Sequence, residues 1–83
     1  MTNNTLYRLA EGKASCRCWL RAWNPVARYF EWTCDAAQAD LYDRHTAIRV
    51  LDDVAAEIRA RGYRPACLRA WPASGGAAIA FRA

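Results

Sequence analysis

Four cysteines, one histidine and eight carboxylates are the residues of this 83-residue chain with the means for covalent, metal or acid–base chemistry. Structural zinc needs paired cysteines with two to four residues between them. Here one residue separates Cys16 from Cys18, and Cys34 and Cys67 are scattered. Thiols without such a framework or a secretory signal behave as small buried hydrophobes in a reducing compartment. His45 falls near a predicted helix start and reads as a surface or capping residue, so no nucleophile has a base beside it. Asp52 and Asp53 are neighbours on a helix and point about 100° apart, unlike a working carboxylate pair. Gly75-Gly76 has neither the lysine nor the helix start of a phosphate cradle. The chain is therefore expected to be no enzyme and to hold no metal or cofactor.

What remains is the chemistry of arginine and tryptophan. Every basic residue except Lys13 is an arginine, and four tryptophans, four tyrosines and two phenylalanines supply the aromatic surface. Arginine makes bidentate contacts with carboxylate and phosphate and stacks on aromatic rings. From Arg17 to Trp23 the two types alternate as Arg17, Trp19, Arg21, Trp23.

The elements that must carry these residues follow from periodicity and turn signals. Strands are predicted over Thr5–Ala10, Ser15–Trp23 and Arg28–Cys34, joined by Glu11-Gly12-Lys13 and by Asn24-Pro25, and they form an antiparallel meander. A short helical or irregular turn spans Asp35–Asp40. The main helix runs from Arg44 to Arg61, where Ala47, Ile48, Val50, Leu51, Val54, Ala55 and Ile58 repeat at spacings of three and four. Asp43, with Thr46 as the alternative, is expected to cap its start, and Gly62 can adopt the left-handed conformation that closes its end. Two further strands, Arg64–Trp71 and Ala77–Arg82, flank the loop from Pro72 to Gly76. The fold class is α+β: residues 1–83 form one domain, a single antiparallel sheet in the order β-β-β-α-β-β with the helix across one face.

Side chains in a strand alternate between faces. Cys16, Cys18, Leu20 and Ala22 are predicted on the helix side, with Phe30, Trp32, Cys34, Ala66, Leu68, Ala70, Ile79 and Phe81. The uncovered face then carries Arg17, Trp19, Arg21, Trp23, Tyr29, Arg69, Trp71 and Arg82, with Cys67 among them. Exposed tryptophans on this scale mark a contact site. Three uses of the face are open. Arginine and tryptophan shield one another by cation–π stacking; or the face binds protein, including a second copy packed sheet to sheet; or it binds single-stranded nucleic acid. A second candidate surface is the acidic set Asp40, Asp43, Asp52, Asp53 and Glu57. Residues 35–57 hold six acids against Arg44 and Arg49, so the rest of the chain carries +8 of a net +4.

At 54% hydrophobic and 24% charged, the composition is that of a folding domain rather than a disordered one. The opening Met1-Thr2-Asn3-Asn4-Thr5 has no signal-peptide pattern, and no run nears the roughly 18 apolar residues of a membrane span. A cytoplasmic location without membrane contact is expected. Trp32-Thr33, Asp35, Ala39, Leu41, Ala47 through Leu51 and Gly62-Tyr63 form a pattern, over residues 28–63, that resembles small accessory proteins of phages and mobile elements, the anti-CRISPR proteins in particular. The resemblance implies a non-enzymatic inhibitor acting in a bacterial host cell, by occupying a surface on a CRISPR–Cas effector subunit. Many such proteins are acidic and imitate DNA. The net charge of +4 departs from that pattern and turns attention to the aromatic face.

Overall fold

The computed structural model describes residues 5–12 and 17–81. In chain order its elements are β1 (Leu6–Glu11), β2 (Cys18–Asn24), β3 (Tyr29–Thr33), a 3-10 turn (Ala36–Gln38), β4 (Tyr42–Asp43), α1 (Arg44–Ala60), β5 (Arg69–Pro72) and β6 (Ile79–Ala80). The strands form one antiparallel sheet in the order β3-β2-β1-β5-β6. β1 is its hub. Tyr7 through Ala10 pair with β5 along one edge, while the other edge is shared by β2, at Ala10 and Glu11, and by β4, at Leu6 and Tyr7. The α+β architecture with one helix on one sheet face is the predicted one; β4 is an addition too short to leave a periodic signal.

α1 forms where the sequence places it because both ends are chemically closed. The Asp43 carboxylate accepts the Thr46 N–H at 2.8 Å, satisfying a donor with no partner inside the helix. That bond is the main reason the Asp43 carboxyl lies below its ordinary range. At the other end Gly62 takes φ +84°, the Gly62 N–H donates to Arg59 O at 2.9 Å, and the Tyr63 N–H to Ile58 O at 3.1 Å. This paired closure reverses the chain and uses carbonyls the helix leaves open. Between the caps, Ala47, Val50, Leu51, Val54, Ala55 and Ile58 are buried against Tyr7, Leu9, Leu20, Leu68 and Ala70 of the sheet side. Leu9, Leu20, Leu51 and Leu68 are completely enclosed, each contributing about 1.5–3 kcal/mol.

Three predicted features are corrected. First, residues 64–68 are not strand. The Leu68 N–H donates to Pro65 O at 3.2 Å in a turn that leaves Ala66 exposed while Leu68 drops into the core. β1 offers β5 only four partners, so pairing begins at Arg69. Second, the last strand contracts to two residues, and Arg82 lies outside the described residues, as do Ser15 and Cys16 at the predicted start of the second strand. Third, the period-two alternation of β2 breaks. Leu20 pairs with Trp32 but Ala22 pairs with Glu31, so Arg21 is an extra residue in a β-bulge. Beyond it the faces exchange. Ala22 joins Glu31 on the outer side, and Trp23, opposite Phe30, turns to the helix side and packs against the core.

The turn from β2 to β3 is drawn down onto the helix. Asn24 Oδ1 accepts the N–H groups of Val26 and Ala27, and Arg28 adopts φ +54°, rare for a residue with a side chain. Arg28 Nε donates to Glu57 at 2.9 Å, and its carbonyl accepts from Arg61 at 2.8 Å. Arg61 also meets Glu57 at 3.4 Å and lies over the Phe30 ring at 4.4 Å, so one carboxylate and two arginines close this end of the core.

Candidate binding face of the sheet

Cross-strand partners share a face, so register sorts the outer side of the sheet directly. Trp19, Ala10, Arg69 and Ala80 form one row across β2, β1, β5 and β6. Ala10 is 1% exposed although it stands outside the core cluster, because its neighbours in this row shut water from it. Arg8 and Trp71 are opposite one another next along β1 and β5. Arg17 reaches the same place from just ahead of β2: its guanidinium carbon lies 4.0 Å from the centre of the Trp71 ring, within cation–π range. Thr33, opposite Trp19, and Glu31, opposite Ala22, extend the face onto β3. Arg21, turned outward by the bulge, meets Glu31 at 3.8 Å, and Tyr29 stands exposed at the far corner.

Of the predicted platform, the structure thus brings together Arg17, Trp19, Arg21, Arg69 and Trp71, with Tyr29 at its margin. Trp23 is removed from it. Its indole faces the helix side, 6.1 Å from Phe30, because the bulge inverts the strand at Arg21. Arg82 lies outside the described residues. Arg8 was missed, yet its signal was present: it alternates with the inward Tyr7 and Leu9 in the first strand, as Arg17 does with Leu20's side of the second.

The face is cationic. Among the described residues of these rows, Arg8, Arg17, Arg21 and Arg69 are set against one carboxylate, that of Glu31. Three of the four guanidiniums are already engaged within the face or at its edge: Arg17 on Trp71, Arg21 with Glu31 at 3.8 Å, and Arg69 through Nη1 to Ala66 O and Leu68 O at 3.2 and 2.7 Å. Arg8 Nε is closed off from water and has no partner among the described residues. These contacts fix rotamers that would otherwise be mobile, and a surface with fixed arginines loses less entropy when something docks on it.

The acidic set does not form one surface. Asp43 and Glu57 are fourteen residues apart on one helix, about 21 Å along its axis. Asp43 is spent on the helix cap, Asp40 accepts from the Tyr42 hydroxyl at 3.3 Å, and Glu57, 11% exposed, is held between Arg28 and Arg61. Asp53 borders a groove of about 280 Å³ with Trp23, Arg28 and Glu57, and Asp52 is half-buried on the helix. The cysteines differ from expectation as well. Cys18 is on the helix side but exposed, Cys34 is exposed past the end of β3, and Cys67 is half-buried in the turn before β5. The core tapers toward the ends of the strands, where an inward-facing position is no longer beneath the helix.

A carboxylate occupies one such position. Glu11 pairs with Cys18 and therefore shares the side of Leu9 and the helix, although it was read as part of a hairpin connection. One of its oxygens is buried with no partner among the described residues. Burial raises its carboxyl above the ordinary range, against the lowering effects of the Gly12 and Cys67 N–H groups and of Arg69.

No protein family, no curated protein and no solved structure matches this chain. Among the described residues no helix is long and apolar enough to cross a membrane.

Proposed function

We propose that this chain is a non-enzymatic binding protein that docks on a protein partner through the outer sheet face built from Trp19, Trp71, Arg8, Arg17, Arg21 and Arg69. The observation that carries the reading is the stacking of Arg17 on Trp71 at 4.0 Å beside the Trp19–Ala10–Arg69 row. Tryptophan and arginine, here held in place on a sheet face, are residue types that dominate binding hot spots. The same stacking weighs against a base-binding platform. A nucleobase must take the ring face that the Arg17 guanidinium occupies, whereas a protein surface can meet guanidinium and ring edge together. Four arginines against one glutamate suit an acidic patch on the partner. The partner class proposed from the anti-CRISPR resemblance is a CRISPR–Cas effector subunit, bound stoichiometrically and without chemistry.

The test uses purified effector complexes of several CRISPR–Cas types, incubated with wild type and with a Trp19→Ala, Arg17→Ala double variant, and followed by co-elution and by target cleavage. The proposal expects one complex to retain and be inhibited by wild type, with both effects lost in the variant. Inhibition by the variant at wild-type strength rejects the face, and retention by no complex rejects the partner class. The alternative of single-stranded nucleic acid is read in the same samples. Affinity for an oligothymidylate that falls steeply with salt identifies phosphate contacts instead.

A further inference from the structure

Two exposed thiols meet where β2 and β3 run out beyond the core. Cys18 opens β2 and Cys34 follows the last residue of β3; both are free and exposed. The ladder between these strands pairs Leu20 with Trp32 and Trp19 with Thr33, so one further step sets Cys18 opposite Cys34. The chain bends toward the 3-10 turn only at Cys34 itself, which keeps its Cα in line with the strand. Leu20 and Trp32 pack on the helix side, and the two-residue alternation puts both thiols on that side too.

The hydrogen bonding decides how close the two stand. The Leu20 carbonyl accepts the Asp40 N–H at 3.2 Å. Asp40 leads into β4, which lies along the same edge of β1 as β2, so this carbonyl points toward β1 and away from β3. Leu20 and Trp32 are therefore a pair without mutual hydrogen bonds, Trp19 and Thr33 a bonded one, and Cys18 and Cys34 again a pair without. Such pairs are the closer kind, with Cα atoms about 4.5 Å apart, inside the roughly 4.4–6.8 Å that a disulfide spans. Cys67 offers no such match. It lies beyond β1, two strand spacings or about 9–10 Å from Cys18, and cysteines whose Cα atoms are more than about 7 Å apart are not bridged without moving backbone.

We propose that Cys18 and Cys34 form a dithiol that oxidises reversibly to a cross-strand disulfide, with a small disulfide such as glutathione disulfide as oxidant. One cysteine thiolate attacks the oxidant, forming a mixed disulfide and releasing one glutathione thiolate. The other cysteine thiolate then attacks the protein sulfur of that mixed disulfide and expels the second glutathione. Two protein thiols are oxidised, one glutathione disulfide is reduced to two glutathiones, and the two thiol protons end on those products. The bridge closes the loop of residues 18–34 from the helix side, so it does not depend on what the outer sheet face binds.

Trypsin puts each cysteine on a peptide of its own, residues 14–17, 18–21, 29–44 and 62–69, so the pairing is read directly. The reduced full chain is equilibrated with glutathione disulfide and glutathione, capped with N-ethylmaleimide and digested without reductant, once in buffer and once in concentrated urea. In buffer the expected result is an intact mass lower by two hydrogens, one dominant cross-link joining 18–21 to 29–44, and a Tm about 10–15 °C above that of the reduced chain, reversed by dithiothreitol. In urea that dominance should be lost. Cys34→Ser, at an exposed position, should abolish the bridge and leave Tm indifferent to the oxidant. A different dominant pair, an even mixture of pairs, glutathione adducts or intermolecular links without an internal bridge, equal dominance in urea, a bridge that survives Cys34→Ser, or an oxidised chain no more stable than the reduced one overturns the proposal.

Discussion

Replacing Trp23 by alanine puts the bulge at Arg21 to a direct test, because the two tryptophans of β2 stand on opposite sides of the sheet with different work to do. Trp23 packs against the core beside Phe30 and over the helix-side groove with Asp53 and Glu57. A tryptophan covers 150–250 Å², and losing some 120 Å² of burial at about 25 cal/mol per Å² gives about 3 kcal/mol. An 83-residue domain has a total stability of roughly 4–12 kcal/mol, so the variant should still fold, with Tm lowered by about 15 °C. Trp19→Ala, on the outer face, should cost about 1 kcal/mol. Trp23→Phe should lie within about 1 kcal/mol of wild type, since the buried Trp23 Nε1–H has no partner among the described residues and the change removes an unsatisfied donor along with part of the ring. Urea unfolding followed by far-ultraviolet circular dichroism measures all three. A larger loss for Trp19→Ala than for Trp23→Ala would refute the bulge and with it the sorting of the two faces.

Other residues offer independent checks. Gly62→Ala should lower stability by about 1–2 kcal/mol in thermal denaturation, purely through its φ of +84°, because nothing lies within 4 Å of an added Cβ. Glu57→Ala should cost about 1 kcal/mol and speed proteolysis of the turn at Val26, which is 93% exposed; the estimate is kept low because Arg28 and Arg61 are 65% and 44% exposed. Tyr42, pushed up to about 12 chiefly by burial and then by Asp40, should ionise only well above the ordinary tyrosine value of 10.0, as read by the change in absorbance near 295 nm that Tyr42→Phe removes. Because the folded state keeps that proton longer than the unfolded chain, stability should fall as pH rises from 10 to about 12, and Tyr42→Phe should flatten that fall.

The sequence by itself determined whatever depends on residues close together in the chain. Asp43 and Gly62 announced both ends of α1 through side-chain capping and a positive φ, and the three- and four-residue repeat between them fixed which helix face is buried. The aromatic-rich stretches and the turn residues between them marked the strands, hence the α+β class. Only the tertiary structure decided what depends on a partner strand. Period-two alternation assumes unbroken pairing, and the extra residue at Arg21 becomes apparent only when β2 is laid against β3, so Trp23 crossed to the helix side. The few partners available on β1 shortened β5, and the end of the helix left Glu11 and Cys18 facing inward with little above them. Arg17 could be assigned to a face from its parity, but its place on Trp71 brings together residues 54 positions apart, and no local pattern encodes that distance.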